Sequence, residues 1–185
     1  MSRRVRGILF ADYVRMVRGL KSVDWSKWLT DDDLQLVRAR IDYDTWYPME
    51  TFERCGVGIL AEVADGQLEA VRMWGRFQVD TVRNRYPDVV AEGDPCETVQ
   101  RFQVLRRTFF DYDALRVVEL NDGGALLAIS FGMGPVAEEA ASTQTMGFFE
   151  GLLERAGATS VYGRFTAESW RGAPVTRMAL DWEVG

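Results

Sequence analysis

The chain contains no histidine. That single gap removes several kinds of chemistry at once. Zinc sites usually recruit imidazole, general acid–base catalysis most often uses it, and Ser-His-Asp or Cys-His nucleophile activation requires it. A histidine-ligated haem is excluded as well. An enzyme built on this sequence would depend on carboxylates, Lys, Tyr or Cys, and no such groups converge along the chain. Cysteine is nearly as scarce. Cys55 and Cys96 stand far apart, form no C-x-x-C, and read as reduced, core or partly buried thiols of a cytoplasmic protein. No window approaches the roughly 20 apolar residues that cross a bilayer, and the start lacks the apolar core of a secretory signal. Internal repeats, low-complexity tracts and recognisable linkers are missing too. The formal charge of −6 argues against a nucleic-acid binder, whose affinity would rest on neutralising phosphates. The N-terminal "SRRVR" reads as a solvated basic tail. The expectation is therefore a non-enzymatic protein with no metal and no cofactor.

What is present is apolar bulk. A chain of 185 residues, 47% hydrophobic with six Trp and ten Phe, can bury a sizeable core within one domain. Residues 1–112 read as a helical part of about five helices. In "ILFADYVRMVRGL" (8–20) the apolar residues share one arc and Asp12, Arg15 and Arg18 fall opposite. Thr30 is a plausible N-cap, with Asp31 to Asp33 complementing the helix dipole. That acidic triplet lacks the spacing and glycine of a calcium loop. Pro48 suits a first helical position, and the helix it opens runs to about Val63. Gly56 and Gly58 inside it imply close approach of another element. Asp94 caps a further helix starting at Pro95.

The segment from about Gln67 to Tyr86 has a narrow polar arc: Glu69, Arg72, Arg76, Asp80 and Arg83. Apolar residues cover the rest of its circumference, which predicts a helix lying centrally in the domain. Gln78, Thr81 and Arg85 fall within that apolar side, flanked by Trp74 and Phe77. Bonding to backbone would satisfy the polar groups, and Arg85 could reach water from the last turn. The functional alternative is that Trp74, Phe77, Gln78, Thr81 and Arg85 line a ligand pocket.

Residues 113–185 change texture and predict a ββαββ unit sharing the core. "LRVVEL" (115–120) and "ALLAISF" (125–131) are β-type runs joined by the hairpin turn "NDGG". A long helix follows, about Val136 to Ala156, ended by Gly157. Its core face would carry Ala141, Phe148, Phe149, Leu152, Leu153 and Ala156, its wet face Glu139, Glu150 and Glu154. Between them Ala140, Gly147 and Gly151 make a strip of small residues, suited to internal packing or to a dimer interface. In the last strand Thr176, Met178, Leu180 and Trp182 alternate with Val175, Arg177, Ala179 and Asp181. With Gly172 to Pro174 as the turn, "SWRGAPVTRMALDW" is the closing hairpin. The fold class is α+β, an N-terminal helical bundle packed on a C-terminal antiparallel sheet.

Three stretches carry a family resemblance: "WYPMETF" (46–52), "AVRMWGR" (70–76), and "GFFEGLLERAGATSVYGRF" (147–165) followed by "RGAPVTRMALDW" (171–182). Together they resemble the haem-NO-binding and 4-vinyl-reductase (TRAPP-like) sensor folds, in a branch of the myxobacterial type. The resemblance implies an α/β shell able to surround an apolar cavity or to pair with a copy of itself. Haem-binding relatives supply a proximal histidine and a Tyr-x-Ser-x-Arg clamp, and this chain has neither. Vinyl-reductase-type relatives often carry Cys or His ligands near the last hairpin, where "AESWRGAPVTR" has none. The expectation is thus a binding or sensor-like module for a small apolar ligand, acting through a protein partner or homodimer. The alternative is an adaptor whose activity is self-association or docking.

Overall fold

The computed structural model describes residues 2–184. The chain opens on a three-residue strand, β1 (Arg4–Arg6), and runs directly into α1 (Gly7–Gly19). Then come α2 (Asp31–Arg38), β2 (Trp46–Pro48), α3 (Met49–Glu62), α4 (Leu68–Arg85) and α5 (Pro95–Leu105). The second part is β3 (Leu115–Asn121), β4 (Gly124–Ile129), α6 (Pro135–Arg155), β5 (Ala158–Ala167) and β6 (Thr176–Val184). This is an α+β architecture with a four-stranded antiparallel sheet in the order β3-β4-β6-β5 and a separate β1–β2 pair. Among the described residues no helix is long and apolar enough to cross a membrane.

Local chemistry sets several boundaries. Thr30 and Asp33 form a reciprocal capping box: the Asp33 N–H donates to Thr30 Oγ1 at 3.2 Å and the Thr30 N–H to Asp33 Oδ2 at 2.9 Å. Asp94 Oδ1 accepts from the Glu97 N–H at 2.8 Å, with Pro95 at the first helical position of α5. The closing hairpin turns at Gly172, whose φ of +100° lies in the left-handed region that favours glycine. On β6 the alternation holds, with Thr176, Met178, Leu180 and Trp182 buried. One contiguous cluster of buried side chains runs from Val5 to Trp182 and draws on both parts.

Two expectations are corrected here. The basic N-terminus is not a solvated tail. Val5 is fully buried, β1 pairs with β2 from Arg4 opposite Pro48 to Arg6 opposite Trp46, and Arg3 donates to the carbonyls of Phe131 and Gly132 at 2.7 Å each. Trp46 lies under the Arg6 guanidinium, 4.6 Å from it. Pairing across forty residues outweighs the local charge. In consequence Pro48 ends β2, and α3 begins one residue later.

The second correction concerns the centre of the molecule, which is α6 rather than α4. α4 buries only Val71, Gly75, Val79 and Val82, while Phe77 is 63% exposed and Met73 42%. α6 is covered around nearly its whole circumference from Ala137 to Leu153. Its Glu150, expected on a wet face, is 1% exposed. Arg72 and Arg76 hold that carboxylate, and it also accepts from the Gly163 N–H at 3.1 Å. A buried carboxylate with two guanidinium partners and a backbone donor meets the requirement for burying charge.

Candidate functional site

The two helices meet almost backbone to backbone. A Cβ on Gly75 would stand 1.9 Å from the Gln144 carbonyl oxygen, and one on Gly147 would stand 1.8 Å from that of Arg72. Gly151 lies beside Arg76 in the same way, 3.1 Å from its carbonyl oxygen. The small-residue strip is therefore the α4–α6 seam within one chain. Gly147 and Gly151 face α4, and Ala140 is buried, leaving no open surface there for a second copy.

Beside this seam the packing loosens into a crevice of about 60 Å³. α1 contributes Leu9 and Tyr13, α3 Phe52, α4 Gln78 and Val82, and α5 Phe102. The connection to the sheet adds Phe109 and Phe110, β3 adds Leu115, and Phe131 follows β4. α6 closes it with Ala141, Gln144, Thr145, Phe148 and Phe149. The aromatic rings brace one another. Tyr13 and Phe52 stack in parallel with centroids 4.4 Å apart, Phe102 meets Phe149 edge-on at 4.7 Å, and Phe110 meets Phe131 at 5.5 Å. Gly56 makes the Tyr13–Phe52 stack possible, because a Cβ there would lie 3.2 Å from the Tyr13 ring.

Few polar atoms face this space. The Tyr13 hydroxyl donates to Gln144 Oε1 at 2.7 Å. Burial, reinforced by the nearby Cys55 and Asp12, pushes the Tyr13 pKa well up, so its phenol stays protonated and can donate. Gln78 Nε2 lies 3.4 Å from Asp12 Oδ2, bridging α4 to α1 at the crevice mouth. The Thr145 hydroxyl donates back to the Ala141 carbonyl at 2.8 Å. Cys55, one residue from Gly56, is fully buried, and burial pushes its thiol up to about 12. No activated nucleophile or carboxylate pair stands in the crevice.

Of the five residues proposed from sequence, Gln78 alone lines this space. Trp74 is half-buried and packs on the core from its periphery; Thr81 is half-buried outside the crevice lining. Phe77 points to water, and Arg85 is exposed, paired with Asp44 at 2.7 Å. Sequence reasoning missed the aromatic lining, whose members come from separate segments. The one usable sign was Gly56 in mid-helix, which marks the space reserved for Tyr13.

No family model matches the chain, and no curated protein matches it. Solved structures do. The chain is similar to an Fe(II) unliganded H-NOX protein from K. algicida, with 13% identity over 97% of each chain and a TM-score of 0.67. It is also similar to an H-NOX protein from S. oneidensis in the Fe(II) ligation state, with 12% identity over 96% of each chain and a TM-score of 0.66. A third is an oxygen-binding H-NOX domain related to soluble guanylate cyclases, solved as an oxygen complex. It is 12% identical over 96% of this chain and 95% of that one, with a TM-score of 0.59. These likenesses establish the H-NOX-like fold.

Haem does not fit the residues present. Proteins hold haem iron through His, Cys thiolate, Met or Tyr. The crevice offers Tyr13 alone from that set, a protonated phenol engaged with Gln144. Among the described residues no three His, Cys, Asp or Glu side chains are grouped to hold a metal ion. The free space of about 60 Å³ is also far below the roughly 300 Å³ at which sites for ordinary small molecules begin.

Proposed function

We propose that this chain is a non-enzymatic, sensor-like module that admits a small apolar molecule into the aromatic crevice and signals its presence through protein contacts. The observation that carries the reading is the crevice itself. It is lined almost wholly by rings and aliphatic groups, it lies where α1 and α3 face α4, α5 and α6, and one hydrogen-bonded pair, Tyr13–Gln144, stands across it. An occupant would touch α1 and α3 on one side and the α4–α6 pair on the other, and bias their relative placement. The fold neighbour solved as an oxygen complex supports a ligand of few atoms. So does size: an apolar cavity of about 150 Å³ takes benzene or xenon, and about 60 Å³ suits something smaller than benzene.

The signalling surface in this reading is the outer face of α4. Met73 and Phe77, four residues apart and exposed, present an apolar ridge next to Gln78 at the crevice mouth. Gln78 is tied to Asp12 of α1, so a displacement of α1 changes the surface beside that ridge while the α4 backbone stays in place.

Solution NMR under xenon pressure tests the proposal. Saturable shifts at Val82, Leu115 and Ala141, abolished by the space-filling Ala141→Leu in a chain that remains folded, are expected. Unsaturated shifts spread over the surface, or shifts indifferent to Ala141→Leu, would remove the basis for it.

A further inference from the structure

A second concavity, separate from the crevice, uses a different face of α1. It is an open groove between α1 and the end of α2 with the segment that follows, of about 410 Å³. Four arginines line it: Arg15 and Arg18 from α1, Arg38 and Arg40 from the α2 end. Between them the apolar surface is that of Ile41 and the ring of Tyr43, with Val14 buried beneath. In a chain of net charge −6 this is a conspicuous concentration of positive charge.

Most arginines of this protein are tied to carboxylates, as at Arg72, Arg76, Arg85 and Arg155. In the groove only Arg15 is, through Asp12. Arg18 instead donates its Nε–H to the Val37 carbonyl at 2.6 Å and a terminal N–H to that of Ala39. That fixes its guanidinium against the groove wall and leaves its charge uncompensated. Among the described residues Arg38 and Arg40 have no ion-pair partner. Of the acids that follow in the chain, Asp44 pairs with Arg85, and among the described residues Asp42 makes no ion pair with the groove arginines. Three like charges facing one concavity repel one another, and an anion between them relieves that repulsion.

We propose that this groove binds a small amphipathic anion, a carboxylate or phosphate head carrying a hydrocarbon group. The head sits between Arg18, Arg38 and Arg40, where planar guanidinium forks match two oxygens at a time. The hydrocarbon lies on Ile41 and Tyr43, above the buried Val14. The volume of the groove, though open to solvent, falls within the roughly 300–1,000 Å³ typical of small-molecule sites. A polyanion is the poorer match, because the chain as a whole carries a net charge of −6.

The probes are octanoate, octan-1-ol and inorganic phosphate, each titrated at low salt into the full chain with backbone NMR detection. Octanoate should saturate and shift Val14, Ile41 and Tyr43, whereas octanol should not. Phosphate alone should bind at least tenfold more weakly than octanoate. Arg38→Gln should weaken octanoate about tenfold, and the Arg38→Gln/Arg40→Gln pair further. Both side chains are exposed and unpaired, so the variants should melt as the parent does. Equal response to octanoate and octanol, phosphate binding as tightly as octanoate, or unchanged affinity in the double variant would each overturn the proposal. So would octanoate shifting Phe102 and Ala141 in place of the groove. The xenon experiment reads Val82, Leu115 and Ala141 in the crevice, so failure at one site is distinguishable from failure at the other.

Discussion

Two adjoining regions that α4 borders are built on opposite plans. Toward α6, glycines on both helices bring carbonyl oxygens to the distance a side chain would occupy, and the Glu150 carboxylate bolts the contact through Arg72 and Arg76. Toward α1, the same helix offers Gln78 and Val82 to a space that large rings surround without filling. One side has no slack and the other has some. The lesson is directional: rearrangement on ligand entry belongs to α1 and α3, while α4 and α6 move as one body. Native interiors are close-packed, so such a difference within one core is where a small guest can be accommodated.

The contrast breaks first at the glycines. Gly147→Ala forces a methyl group into the Arg72 backbone, which cannot yield as a flexible side chain would. A loss of more than about 3 kcal/mol is expected in urea denaturation, at or beyond the upper end of ordinary overpacking costs. Gly75→Ala should behave alike, as its reciprocal partner. A loss below about 1 kcal/mol would mean the seam is not as tight as described.

Next is the bolt. Glu150→Ala leaves Arg72, Arg76 and the Gly163 N–H without their acceptor. The expected cost is about 3 kcal/mol, within the range for breaking a buried ion pair from one side. Equilibrium unfolding of the variant measures it, and Glu150→Gln, which keeps an acceptor oxygen, should recover part.

The loose side has its own electrostatic tie. Asp33 is 2% exposed and joins α2 to α3 through Arg54 and Thr51. Burial alone would raise its pKa, but the hydrogen bonds from Arg54, Thr51 and Thr30 together hold it well below the usual carboxylate range. A carboxyl with a lowered folded-state pKa contributes stability that is present above the unfolded value near 4. That contribution falls away as pH drops through the lower folded value. Hydrogen exchange compared at pH 6 and pH 3 should therefore show α2 and α3 losing protection before the α4–α6 seam, and Asp33→Asn should flatten the difference.

The smallest effect sharpens the crevice itself. Tyr13→Phe removes one hydrogen bond and leaves Gln144 Oε1 without its donor. The expected loss is about 1 kcal/mol in thermal or urea unfolding, with no change in fold.

Legibility followed sequence distance. The helix caps at Thr30 and Asp94, the "NDGG" hairpin and the alternation of β6 depend on neighbours a few residues away, and all were readable from the chain. The ranking of helices was not. α4 looks central because Met73 and Phe77 widen its apolar arc, yet both face water. α6 looks amphipathic because it carries Gln144 and Glu150. Their partners, Tyr13, Arg72 and Arg76, lie more than 70 residues away. The basic strand β1 was hidden for the same reason, since Trp46 and Phe131 are far off in sequence. At the candidate site, Gln78 was legible as a polar group within an apolar arc. The ring of aromatics was not, because six separate segments supply it.

The most direct test of the account is a crystal of this protein pressurised with xenon. The account expects one strong xenon peak in contact with Phe102, Phe149 and Ala141, with α4 and α6 unmoved and any displacement confined to α1 and α3. A crevice left without xenon at pressures that load other apolar cavities, or entry that parts α4 from α6, would contradict it.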